Sequence, residues 1–115
     1  MSLNKVMLIG NVGKDPDIRY VEGKPVAELT LATSDRAFTT ASGVQVPEKT
    51  EWHRLVMWNK LAEFAEKYIR KGAKLYVEGK LRTRVWQDQN AIKHSVTEIY
   101  VENLEFLGQS QKQQG

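Results

Sequence analysis

One stretch of this chain repeats with a helical period, and the runs on either side of it alternate. Leu61, Phe64, Ala65, Tyr68 and Ile69 recur at i, i+3, i+4, i+7 and i+8, which lays a single apolar stripe along a helix. Residues 50–58 before it and 74–86 after it read as strands, whose successive side chains point to opposite faces. Residues 5–13, 26–33 and 95–107 are further strand runs, rich in β-branched residues, and residues 18–21 form a short extended piece. A bend or bulge is expected at Gly10. Turn chemistry separates these runs at Asp15-Pro16-Asp17, at Glu22-Gly23-Lys24-Pro25 and in the polar stretch 87–93, while residues 34–49 read as a long polar hairpin loop.

The helix carries its own signals. Asn59 suits an N-cap, Gly72 suits a left-handed stop, and Glu63–Lys67 and Glu66–Arg70 are favourable i,i+4 pairs. The order is three strands, one helix, two strands. That order fits an all-β fold, a five-stranded Greek-key barrel of the OB type with one α-helix between the third and fourth strands. The helix would close an open end of the barrel with Leu61, Phe64 and Tyr68. Residues 1–107 make one domain, and 108–115 (G-Q-S-Q-K-Q-Q-G) read as the start of a disordered C-terminal tail.

Composition narrows the class. A hydrophobic fraction of 41% and a charged fraction of 27% over 115 residues suit one globular domain with its own core. The chain has no cysteine, which excludes disulfides and thiolate metal sites. No signal-peptide core or membrane-length apolar run is present, so a cytoplasmic protein is expected. Two histidines, His53 and His94, stand without a carboxylate cluster at metal-ligand spacing, and Gly10-Asn11-Val12-Gly13 lacks the lysine and helix of a phosphate loop. No enzyme activity, metal or cofactor is expected.

Charge is unevenly spread. Between Glu51 and Trp86 nine cations face four anions, although the whole chain nets only +3. All three tryptophans lie in that zone. On the third strand Trp52, Arg54, Val56 and Trp58 share one face, with His53, Leu55 and Met57 opposite. On the fourth, Leu75, Val77, Leu81 and Val85 form the apolar face, and Lys74, Tyr76, Glu78, Lys80, Arg82, Arg84 and Trp86 the other. Indole faces beside guanidinium and ammonium groups suit unpaired bases and their phosphates, with little regard to base identity. The competing reading puts Trp52 and Trp58 in the core and leaves the cations as a solvated face. His53 reads as a hydrogen-bonded structural or interface residue, and Tyr76 as surface or subunit contact.

The segments N-K-V-M-L-I-G-N-V-G-K-D-P-D-I-R-Y, L-T-L-A-T-S, T-E-W-H-R-L-V-M-W-N-K-L-A-E and Y-I-R-K-G-A-K-L-Y-V-E-G-K-L-R-T-R-V-W, in unbroken order, resemble the bacterial single-stranded DNA-binding protein family. The resemblance implies an OB-fold, a homotetramer in the bacterial cytoplasm at the nucleoid, and sequence-independent binding of single-stranded DNA in replication, repair and recombination. It maps base stacking onto Trp52, Trp58 and Trp86, and phosphate contacts onto Arg54, Lys60, Lys71, Arg82 and Arg84. It places His53 and Tyr76 at subunit contacts, and it offers Phe38 as a further stacking aromatic. Family members end in a long tail whose acidic tip recruits replication and repair proteins, and this chain stops at Gly115, where such a tail would begin. The alternatives are an OB-fold protein-interaction module and a primosomal or RNA-binding protein.

Overall fold

The computed structural model describes residues 1–109. The elements run β1 (Val6–Val12), β2 (Asp17–Val21), β3 (Lys24–Asp35), β4 (Phe38–Thr39), β5 (Gln45–Val46), β6 (Lys49–Trp58), α1 (Asn59–Tyr68), β7 (Lys74–Gln87) and β8 (Lys93–Gly108). Five of the strands close a ring: β1 pairs β7, β7 pairs β8, β8 pairs β6, β6 pairs β3, and β3 returns to β1. The other three are additions to the expected five. β2 is the short extended piece, now laid along β3 from Asp17↔Glu28 to Val21↔Lys24. β4 and β5 form a two-rung hairpin inside the stretch expected to be a loop.

The helix explains the ring's connectivity. β3 and β6 pair over ten rungs, from Val26↔Trp58 to Asp35↔Lys49. The chain then leaves β6, and α1 carries it across to the free edge of β1, where β7 docks antiparallel. β8 returns to fill the gap, antiparallel to β7 and parallel to β6 at Leu55↔Ile99 and Val56↔Tyr100. The result is the expected OB-type barrel.

Closure depends on two close approaches. β1 pairs β7 through Asn11 but also pairs β3 at Asn11↔Ala32 and Val12↔Leu31, so it bridges two strands that diverge. A Cβ on Gly10 would stand 2.2 Å from the Ala32 carbonyl oxygen. A Cβ on Gly79 would stand 2.2 Å from that of Tyr100, at a register shift between Glu78 and Gly79. β1 pairs β7 without a register shift, so no bulge lies at Gly10; the shifts fall in the β7–β8 pairing, between Lys74 and Leu75 and between Glu78 and Gly79.

The interior is filled by Leu29, Leu31, Leu55, Met57, Leu75, Val77, Ile99 and Val101 from the strands and by Ala62, Ala65 and Ile69 from the helix. The helix stripe is therefore rotated from its expected position. Ala62 is fully buried, Leu61 and Phe64 flank the core, and Tyr68 is exposed with its ring 4.9 Å from that of Phe64. Close packing of a helix on a small barrel favours alanine at the point of nearest contact. The helix ends also differ from expectation. Trp58 is the N-cap, no side chain caps the first turn, and Asn59 takes a left-handed φ of 57° where the strand turns into the helix. At the other end Tyr68 closes the helix, and Gly72 (φ 91°) lies in the following turn, donating its N–H to the Val12 carbonyl. Arg70 donates to the carbonyls of Glu66 and Ile69, and Glu66 accepts from the Tyr20 hydroxyl, so these groups do not form the expected i,i+4 ion pair.

One expectation fails by position. Leu81 and Val85 belong to the apolar parity of β7 yet are exposed. β8 pairs β6 at Ile99 and Tyr100, so Leu81 sits on the last ring rung, and from Arg82↔Glu98 to Gln87↔Lys93 β7 and β8 run on as a two-stranded arm past the end of the barrel. Alternation marks two faces of a ribbon, and only where a layer covers one of them does it mark burial.

Candidate nucleic-acid interface

The pairing registers lay out one continuous outer face. Across β3 and β6 it reads Ala32–Trp52, Thr30–Arg54, Glu28–Val56 and Val26–Trp58. β8 adds Tyr100 beside Val56, then Glu98 and Val96, and β7 adds Arg82, Arg84 and Trp86 opposite Glu98, Val96 and His94. Six of the nine residues expected to contact a strand therefore share this face or its rim: Trp52, Arg54, Trp58, Arg82, Arg84 and Trp86.

All three indoles are open to solvent, with 58% of Trp52, 46% of Trp86 and 37% of Trp58 exposed. Each is held from one side. A Cβ on Gly13 would come within 2.4 Å of the Trp52 ring, so that glycine is the seat on which the indole rests. Trp86 stacks on His94 with ring centroids 4.4 Å apart and 20° between planes. His94 Nε2 in turn meets Asp88 Oδ2 at 2.8 Å, and that hydrogen bond, with the backbone N–H of Ile92, holds the Asp88 carboxyl below its ordinary pKa. Trp58 meets the edge of Tyr100 at 4.5 Å and lines a cleft with Arg19, Val21, Lys24 and Val26. It is the most covered of the three, consistent with its place at the helix start.

Cations and carboxylates interleave on this face. Arg84 donates to both oxygens of Glu98, from Nε to Oε1 at 3.5 Å and from Nη2 to Oε2 at 3.1 Å, which raises the guanidinium pKa further. Arg54 Nε lies 3.9 Å from the same Oε2. Arg54, Arg84, Trp86, His94, Ser95 and Val96 line one open cleft of about 310 Å³. A neighbouring cleft holds Lys14, Asp17, Glu28, Arg54, Val56 and Glu98, with Lys14–Asp17 at 3.3 Å, and Arg19 pairs Glu28 at 3.1 Å.

The remaining expected residues sit elsewhere. Lys60 is exposed in the first turn of α1, two residues beyond Trp58. Lys71 follows the helix at the β1–β2 turn, where its backbone N–H donates to Asp15 Oδ1 at 2.7 Å. Phe38 stands exposed on the β4–β5 hairpin, in a separate cleft with Ala37, Thr39, Gln45, Val46 and Pro47. His53 is half-buried and its Nε2 meets Thr33 Oγ1 at 2.9 Å. Tyr76 lies on the far side of the barrel, donating its hydroxyl to Glu78, which also meets Asn103 Nδ2 at 3.2 Å and Lys5 Nζ at 3.3 Å. Exposed Met7 and Ile9 pair with Glu78 and Tyr76 on that side.

Glu98, Tyr100, His94, Gly13 and Lys14 belong to the face and were not singled out from the sequence. The alternation of β8 puts Val96, Glu98 and Tyr100 on one side, but only the ring closure shows that this side adjoins β6. Among the described residues no group of three or more His, Cys, Asp or Glu is placed to hold a metal ion, and no helix is long and apolar enough to cross a membrane.

The chain is 55% identical over 108 residues to a single-stranded DNA-binding protein of Bacteroides thetaiotaomicron, a match covering 93% of this chain and 67% of the relative. A solved Plasmodium falciparum SSB in complex with ssDNA superposes with a TM-score of 0.82 at 38% identity, covering 93% of this chain and 96% of the other. The profile of the single-strand binding protein family matches residues 3–107, and the chain belongs to that family.

Proposed function

We infer that this protein binds single-stranded DNA without regard to sequence and protects it during replication, repair and recombination. The observation that carries the reading is the open face on which Trp52 and Trp86 stand beside Arg54 and Arg84. Stacking one base on an aromatic ring contributes about 1–3 kcal/mol and accepts any base. Phosphate contacts from the arginines add a salt-sensitive part. Trp52, Trp58, Trp86, Arg54, Arg82 and Arg84 are the contacts this reading assigns, with Lys60, Lys71 and Phe38 as extensions of the path beyond the main face. A duplex offers no free base faces to such a surface.

The chemistry is binding alone, with no reaction catalysed, and the work is done in the cytoplasm at the nucleoid. Assembly as a homotetramer uses the far side of the barrel, through Tyr76, with His53 as a second contact. Recruitment of replication and repair proteins is assigned to a C-terminal tail, which lies outside the described residues, as do residues 110–115.

The test is a titration with oligo(dT) at two salt concentrations, following tryptophan emission, with duplex DNA and an RNA oligomer as controls. Strong quenching by oligo(dT), weakened at high salt and nearly absent with duplex, is the expected outcome. Preference for RNA would point to the primosomal or RNA-binding alternative. Emission indifferent to every nucleic acid would point to a protein-interaction module.

A further inference from the structure

Glu98 is the buried charged side chain of the described residues, with only 2% of its surface exposed. An ionised carboxylate leaves water at high cost unless charged donors meet it, and Arg84 and Arg54 do so here, at 3.1 and 3.9 Å. Stability alone does not call for this arrangement, because a buried ion pair is often no better than an apolar residue of similar volume. The two arginines are not buried with their partner: their side chains stay about half exposed, at 48% and 50%. One carboxylate thus hydrogen-bonds Arg84 along one edge of its guanidinium and faces Arg54 at ion-pair distance. Both guanidiniums line the cleft that also contains Trp86.

We propose that Glu98 is a positioning residue for strand binding, presetting Arg54 and Arg84 as a pair of phosphate clamps beside the Trp86 stacking surface. The proposal rests on the single-strand-binding reading. Its physical basis is preorganisation: an arginine already fixed in plane loses less freedom when a phosphate arrives, and its planar fork suits oxyanions. The contrary view is that Glu98 only competes with phosphates for the arginines. The two views differ in sign. Removing the negative charge of Glu98 tightens binding if it competes and weakens binding if it positions.

The measurement is the affinity for oligo(dT) across a salt series for wild type and Glu98→Gln, with thermal melts to show that both are folded. The glutamine keeps the shape but loses the charge, and whichever way its amide is turned the –NH2 faces an N–H of Arg84, which meets both Glu98 oxygens. Expected is about tenfold weaker binding, despite the added net positive charge, since the charge-assisted bidentate pair with Arg84 is lost. A salt slope shallower by about 0.7 is also expected, the value of one lost phosphate contact on a single strand. Equal or tighter binding by Glu98→Gln, with the same or a steeper slope, overturns the proposal. Should Glu98→Gln not fold, Glu98→Asp decides, because it keeps the negative charge but draws the carboxylate back from the guanidiniums, which relieves competition yet undoes positioning. Binding about tenfold weaker supports the proposal, and wild-type or tighter affinity overturns it. A wild type that ignores oligo(dT) sinks the functional reading, whereas a binding wild type with an indifferent variant sinks this proposal alone.

Discussion

Trp52 leaves more than half of its indole in water, resting on Gly13 instead of entering the barrel. Burying a large apolar side chain contributes roughly 1.5–3 kcal/mol, so this position gives up stability that the core could have used. Such a ring is cheap to remove from the fold and expensive to remove from the interface. Trp52→Ala should weaken oligo(dT) binding by about 1–3 kcal/mol and shift the folding free energy by no more than about 0.5 kcal/mol. Trp58→Ala should cost both binding and stability, because Tyr100 covers part of its ring. Fluorescence titration and urea melts on the two variants check the contrast. If Trp52→Ala unfolds the domain, that ring belongs to the core.

At the scale of elements, the arm formed by β7 and β8 depends on the crossing at Gly79, and the ring depends on the crossing at Gly10. At both glycines the nearest obstacle is backbone, a carbonyl oxygen 2.2 Å from any added Cβ, so relief requires a strand to move. Gly10→Ala and Gly79→Ala should each destabilise by about 1–3 kcal/mol, the usual range for overpacking, and more where the strands resist. Urea denaturation reads this directly. Variants as stable as wild type would show that the strands separate easily at these points and that closure does not rest on them.

At the scale of the whole molecule, the barrel has two differently built sides. The tryptophan side mixes rings with charges, as a wet nucleic-acid surface does. The β1–β7 side exposes Met7 and Ile9 beside Tyr76, with Glu78 satisfied by Tyr76, Asn103 and Lys5. The proposed assembly uses this side, whose exposed apolar residues would be covered by a second copy. Light scattering should find a species four times the 13.2 kDa chain mass for wild type and a smaller one for Ile9→Asp. A wild type that stays at the mass of one chain would remove the tetramer. Assembly also bears on affinity, since linked sites on one strand raise each other's effective concentration.

Local chemistry determined much of this protein directly. Alternation in β6 placed Trp52, Arg54 and Trp58 outward and Leu55 and Met57 inward, because a strand inside a closed ring has one covered face. The helical period located α1, and the strand–helix–strand order was enough to name the barrel type. Tertiary structure alone decided where the same alternation stops meaning burial, as at Leu81 and Val85, since a pattern within one strand carries no record of whether a second layer exists. It alone rotated the helix onto Ala62, Ala65 and Ile69, because packing distance is set by the partner surface. It alone brought Glu98 of β8 between Arg54 of β6 and Arg84 of β7, residues up to 44 positions apart. Side-chain charge is written locally, but which charges meet is settled only when the ring closes.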